Sequence, residues 1–311
     1  MSDFERMVQV YEEVGGKAEA FRDSEVAHLV VSGNRVVGSH LVKGLVVEPE
    51  ETESGIRARI VVEAGTQIRH PVHLCFGVLP ARGRQRIDLG IEVGAGSKVS
   101  LLAHCFFPNA VEVEHVMEAE IEVGAGAWYE YFERHVHGPE GGVQVLPRAR
   151  VRLAEGARFK TEFELLRGRV GAIEIDYGTV CGARATVEMV ARISGRGDDR
   201  ISVREKAELR GEDSRGVLKT RIAVREQARA EVVNELTAHA AGARGHVDCK
   251  EIVQGGAVAR AVPIVEVTHP LAHVTHEAAL GSVDSLQLQT LMARGLAEEQ
   301  AVETIIEGLL A

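Results

Sequence analysis

Val62-Glu63-Ala64-Gly65-Thr66, Val93-Gly94-Ala95-Gly96-Ser97, Val123-Gly124-Ala125-Gly126-Ala127 and Leu153-Ala154-Glu155-Gly156-Ala157 repeat one pattern. Each reads as an apolar residue, two linkers, a glycine, then a small or hydroxyl residue. The glycines at 65, 96, 126 and 156 stand 31, 30 and 30 residues apart. Looser copies occur at Val180-Cys181-Gly182-Ala183, Val224-Arg225-Glu226-Gln227-Ala228 and Val253-Gln254-Gly255-Gly256-Ala257. Between them, Val99 to Ala103, Glu118 to Val123 and Ile173 to Tyr177 alternate with the period of two of half-buried strands. A fixed period with one turn glycine per unit and strand between the turns predicts a parallel β-helix, or solenoid. The competing pattern is a β-sandwich with evenly spaced glycine turns.

Composition agrees. The chain has 311 residues, 45% hydrophobic, only 4% aromatic, with 33 glycines. That palette suits many short strands joined by glycine turns. A formal net charge of -10 argues against a duplex-binding face, so nucleic acid is not an expected partner. No apolar run reaches membrane-spanning length, and the start, Met1-Ser2-Asp3-Phe4-Glu5-Arg6, lacks a signal-peptide core. A cytoplasmic protein without membrane contact is expected. Four cysteines, none in a Cys-x-x-Cys pair, read as reduced thiols.

The two ends depart from the repeat. Phe4, Met7, Val8, Tyr11 and Val14 share one helical face that stops at Gly15-Gly16, and residues 26 to 47 read as two or three strands leading into the solenoid. At the far end Asp284 can cap a helix running to about Ala293, closed by Gly295. A second helix from about Glu298 sets Val302, Ile305, Ile306 and Leu309 on one face. Three parts follow: residues 1–54 as helix and leading strands, 55–283 as β-helix core, and 284–311 as a C-terminal helical pair. That pair either plugs the last coil or offers a docking surface.

Nucleotide motifs fail when tested. Val14-Gly15-Gly16-Lys17 lacks the leading glycine and the following Ser or Thr of a phosphate loop, and Gly94-x-Gly96 and Gly124-x-Gly126 sit in repeat turns. No nucleotide is expected on this chain. Histidine and cysteine say more. His73 and His104 each lie eight residues past a repeat glycine and should stack on one face; Cys105 and His135 each lie nine past and should stack on the other. An imidazole one coil from a thiol can lower its pKa or share a metal. Cys249, in Val247-Asp248-Cys249-Lys250, has no evident local activator. His276 and Glu277 are strand neighbours that must face opposite ways, which suits a seam between two surfaces.

The segments Arg215-Gly216-Val217, Val247-Asp248-Cys249-Lys250, Ala261-Val262-Pro263-Ile264-Val265-Glu266-Val267, His276-Glu277-Ala278-Ala279-Leu280-Gly281 and Met292-Ala293-Arg294-Gly295-Leu296-Ala297-Glu298-Glu299-Gln300-Ala301 resemble the SufB/SufD family of the SUF iron–sulfur cluster assembly system. Leu102-Ala103-His104-Cys105-Phe106-Phe107-Pro108 resembles the stretch in which SufB proteins carry a functional cysteine. The resemblance covers residues 55 to 311. It implies a right-handed parallel β-helix with helical ends, and a homodimer or a pair with a related SufB/SufD subunit, joined through terminal strands. It also implies a SufC-like ABC-type ATPase and a sulfur donor protein as partners, with the ATPase docked on a helical surface that includes Leu291, Val302, Ile305, Ile306 and Leu309. By the same resemblance the chain is a non-enzymatic scaffold for a transient nascent iron–sulfur cluster. Cys249 falls on a cluster-assembly cysteine, Glu277 on the glutamate beside it, His276 on a SufD-type histidine, and Cys105 on a sulfur acceptor. The alternative function is a regulatory subunit that binds the ATPase without ligating a cluster. The chain departs from the family in its short N-terminal region and in lacking an aromatic-rich tract around Trp128.

Overall fold

The computed structural model describes residues 2–13 and 15–311. Val14, placed by sequence on the face of the first helix, lies outside the described residues. Helix α1 (Asp3–Glu13) is followed by β1 (His28–Ser32), β2 (Arg35–His40) and β3 (Leu45–Glu51). The repeating part then runs β4 (Gly55–Val62), β5 (Val72–Gly77), β6 (Arg82–Val93), β7 (Lys98–Phe107), β8 (Glu112–Val123), β9 (Trp128–His137), β10 (Val143–Leu153) and β11 (Arg158–Arg167). It continues β12 (Gly171–Cys181), β13 (Thr186–Gly195), β14 (Arg200–Leu209), β15 (Arg215–Val224), β16 (Arg229–Ala238), β17 (Arg244–Val253), β18 (Val258–Val267) and β19 (His273–Gly281). Helices α2 (Ser285–Ala293) and α3 (Glu298–Leu310) close the chain.

Odd-numbered strands from β5 to β19 form one parallel sheet, here the front sheet, and even-numbered strands from β4 to β18 the other, the back sheet. Two strands per coil make β4 to β19 eight coils of a flattened parallel solenoid, and the general crossover rule gives such coils a right hand. The inward side chains of both sheets interdigitate as one continuous core of Val, Ile, Leu, Ala and a few aromatics. Alternation fixes which residues enter it: on β9, Tyr129, Tyr131, Glu133, His135 and His137 point inward and are buried.

The corners explain the glycine signal and correct part of it. Gly65, Gly96, Gly126 and Gly156 take φ of 72°, 65°, 64° and 66°, the left-handed region that glycine enters without a Cβ clash. All four lie where the chain passes from back to front sheet. At the next such corner the left-handed residue is Arg184, not Gly182, so the Val180 copy is shifted by one. The copies at Val224 and Val253 mark the opposite corner, front to back, with Glu226 and Gly255 at positive φ.

Register tests the histidine arithmetic. Cys105 pairs with His135, as the spacing predicts. His73 pairs instead with Leu102, and Cys75 with His104. Gln67 still meets Lys98, so the loop between Gln67 and Val72 holds two residues more than the facing stretch. Two extra residues shift the register without changing the face. His73 and His104 therefore remain on one face as diagonal neighbours, their rings stacked at 6.5 Å.

The two ends are built differently. At the start, β2 and β3 add antiparallel strands to the front and back sheets. The apolar face of α1 covers the outside of the front sheet, where Met7, Tyr11, Phe21, Val30, Cys75 and Phe106 form a second core. At the far end, Asp284 caps α2 by accepting from the Gln287 amide at 2.7 Å, and Gly295 takes φ of 98° between the helices. Helix α3 lies on the outer face of the front sheet: Val302, Ile306 and Leu310 are buried with Ala223 and Ile252. Glu303 pins it through ion pairs with Arg196, at 2.9 Å, and Arg225.

Candidate functional site

The last two front-sheet strands carry the residues singled out by sequence. On β17, Val247, Cys249 and Glu251 face the interior; on β19 their register partners are His276, Ala278 and Leu280. Cys249 and His276 thus share the inner face as diagonal neighbours. Glu277 pairs with Asp248 on the outer face, 3.7 Å from the Lys250 ammonium. The opposed facing of His276 and Glu277 follows from strand alternation. Within one chain Cys249, His276 and Glu277 do not converge.

Cys249 is fully buried and sits in a polar pocket. Asn234 donates from Nδ2 to its sulfur at 3.3 Å and lies 3.4 Å from the Thr220 hydroxyl. Burial pushes the thiol pKa up, while the contacts from Thr220 and Asn234 pull against it. Two buried carboxyls flank the pocket. Desolvation raises Glu251 to about 7 and Glu205 to about 8, so the space around the sulfur favours uncharged groups. Outside the same strand, burial opposes ionisation of Asp248, but the Arg221 guanidinium outweighs it and holds the carboxyl below its usual range.

The pocket's members are legible in retrospect. Thr220 lies 29 residues before Cys249, Glu205 lies 29 before Asn234, and both pairs are register partners. Sequence reading followed the turn glycines and so missed Thr220, Asn234, Glu205 and Glu251. The signal was a polar residue returning once per coil at an inward position.

A second cluster lies four to five coils earlier, on β7, β8 and β9. Cys105, His115 and His135 present ligand atoms within 4.8 Å of one another, all buried. The His135 ring lies 2.8 Å from Glu133 through Nε2 and 3.3 Å from His137 through Nδ1. The Tyr177 hydroxyl donates to Glu133 at 3.2 Å. Tyr177 is the register partner of Glu205, and Glu205 of Asn234. A file of polar side chains therefore runs inside the solenoid from Cys105 to Cys249. His115 escaped the sequence reading because it reaches the cluster from the back sheet, across the core.

The helical tail divides by exposure. Val302 and Ile306, placed by sequence on a docking surface, are buried against the chain's own front sheet. Their apolar stripe serves internal packing, which corrects that assignment. Leu291, Ile305 and Leu309 are half-buried, and Leu286, at 72% exposed, and Met292 face solvent from α2. Among the described residues no helix is long and apolar enough to cross a membrane.

Comparison with known proteins agrees with this architecture. Residues 83–309 match the family model described as SUF system FeS cluster assembly, SufBD core domain. An iron–sulfur cluster assembly SufBD family protein of Pyrococcus horikoshii is 34% identical over 310 residues, covering all of this chain and 94% of the relative. One from Methanocaldococcus jannaschii is 33% identical over 315 residues, covering all of this chain and 99% of the relative. A third, from Archaeoglobus fulgidus, is 23% identical over 248 residues, covering 79% of this chain and 66% of the relative. With the fold, the full-length relatives and the matched core domain in agreement, the chain belongs to the SufBD family of iron–sulfur cluster assembly proteins.

Proposed function

We propose that the chain is a scaffold on which a nascent iron–sulfur cluster is assembled at a seam between two subunits. The observation that carries this reading is the state of the last coil. Val265 and Val267 continue the inward columns of Leu236 and Ala238, and Leu280 continues that of Glu251. Yet they are 38%, 46% and 51% exposed. A core column that ends in water calls for a second surface. Cys249 lies one strand inside that edge.

In this reading Cys249 supplies a thiolate, and His276 and Glu277 supply nitrogen and oxygen ligands. Glu277 faces away from the Cys249 of its own chain, which favours a ligand set drawn from two subunits, either two copies of this chain or this chain and a related one. Cys105 accepts sulfur from a donor protein, and the polar file inside the solenoid connects it to Cys249. A SufC-like ABC-type ATPase docks on the exposed side of α2 and α3, through Leu286, Leu291, Met292, Ile305 and Leu309, and drives the seam open. This chain binds no nucleotide and turns over no substrate, and it acts in the cytoplasm.

Anaerobic reconstitution with iron and sulfide tests the assignment. Wild type should develop the visible sulfur-to-iron absorbance of a cluster, and Cys249→Ala should lose most of it. Equal absorbance in both removes Cys249 from the site. If neither protein develops a cluster while both keep a co-purifying ATPase, the chain is a regulatory subunit instead.

A further inference from the structure

We propose that Cys105, His115 and His135 form a buried site for a divalent transition-metal ion of the iron-to-zinc class. Their ligand atoms already lie within 4.8 Å of one another, inside the solenoid and away from the terminal coil. One thiol and two imidazoles are the donor set that borderline cations such as Fe²⁺, Co²⁺ and Zn²⁺ prefer, and one that Mg²⁺ and Ca²⁺ do not.

Three further observations point to a cation. Both ring nitrogens of His115 are buried without a hydrogen-bond partner among the described residues, an arrangement that costs stability unless something binds them. Glu133 is buried beside His135 at 2.8 Å, the carboxylate–histidine arrangement that orients a metal ligand. His137 approaches the other nitrogen, Nδ1, at 3.3 Å, so the His135 ring is held in position from both sides. Last, charge is partly balanced. The Cys105 thiolate would offset part of a dication's charge, and the Glu133 carboxyl lies beside it, in an interior where unpaired charge is costly.

Binding would form one sulfur–metal and two nitrogen–metal bonds, and the proton leaving Cys105 would pass to solvent; no electron moves. In the free chain burial holds that thiol well above its ordinary pKa. A cation would reverse this, because a coordinating thiol is deprotonated outright. The site uses no residue of the last coil, but it shares Cys105 with the sulfur acceptor proposed above, so a bound cation and an accepted sulfur exclude one another on that thiol.

The test is cobalt(II) titration of the full chain after anaerobic chelation, carried out in a Cys249→Ala background so that the seam cannot contribute. One equivalent should bind, giving a near-ultraviolet thiolate-to-cobalt band and the visible bands of a four-coordinate ion. Zn²⁺ and Fe²⁺ should displace it and Mg²⁺ should not. Cys105→Ala should abolish the ultraviolet band, and His115→Ala should weaken binding at least tenfold. No binding, or a charge-transfer band that survives Cys105→Ala, overturns the proposal. If the Cys105 variant does not fold, X-ray absorption of the cobalt-loaded Cys249→Ala protein decides. One sulfur with nitrogen neighbours supports the site, and a shell without sulfur refutes it. A cluster that persists in Cys249→Ala with cobalt binding intact would refute the seam reading alone.

Discussion

The first and last coils of this solenoid share a backbone plan and differ in cover. At the first, antiparallel strands extend both sheets, and α1 lays Met7 and Tyr11 on an outer face that includes Val30, Cys75 and Phe106. At the last, β18 and β19 leave their inward Val265, Val267 and Leu280 in water, although the same columns one coil earlier are buried. The helices that follow lie on the outside of the front sheet and do not cover that edge. The open end, beside a buried thiol, is where the proposed seam would form, whereas the closed end is covered by the chain itself.

The comparison can be broken most sharply by truncating apolar residues at each end. Phe76→Ala, at a fully buried site of the closed end, should cost about 3–5 kcal/mol of stability. Leu280→Ala should leave the urea midpoint of the dilute chain nearly unchanged. Comparable losses at both positions would mean that the last coil is already packed. The next largest effect belongs to assembly. Val265→Lys with Val267→Lys should weaken self-association by roughly 2 kcal/mol, about thirtyfold, in sedimentation experiments, without unfolding the monomer. An unchanged dimer would move the seam elsewhere.

Acidity separates the two regions with opposite sign. Near α1, burial lowers the pKa of His28, His73 and His104, the last to about 3. These rings are neutral in the fold, so their stabilising effect is complete above the ordinary histidine pKa and is lost as pH falls towards about 3. Around Cys249 the direction reverses. Glu251 and Glu205 are raised to about 7 and about 8, so their effect is complete below the ordinary glutamate pKa and is lost as pH rises through those values. Each titrating group changes stability by about 1.4 kcal/mol per pH unit across its window. Hydrogen exchange should show α1 loosening first on acidification and β17 loosening first above neutrality. A uniform response along the chain would contradict the assignment of the buried groups.

How much of this could be read beforehand follows from what periodicity encodes. The turn glycines report the corners, because positive φ selects residue type locally; hence the solenoid, the terminal helices and the Asp284 cap are legible. Residue counting also found the Cys105–His135 pair, since both lie in one sheet. It could not find His115, which reaches the pair from the opposite sheet, nor the pocket of Thr220, Asn234, Glu205 and Glu251, whose closeness depends on how the two sheets face each other. Val302 and Ile306 show the same limit. An amphipathic stripe announces that it will be buried and leaves unsaid whether the chain itself or another protein buries it.

The loop between Gln67 and Val72 carries a lesson about length. It holds two residues more than its neighbour in the next coil, and the strands beyond it still send the same side chains inward. Even increments pass through such a wall unnoticed, while a single added residue would turn every following side chain in that strand inside out. Length variation within the strands should therefore come in pairs, unless a bulge absorbs a single residue, as at Leu166 near the end of β11. Its coils tolerate insertion by parity, not by size.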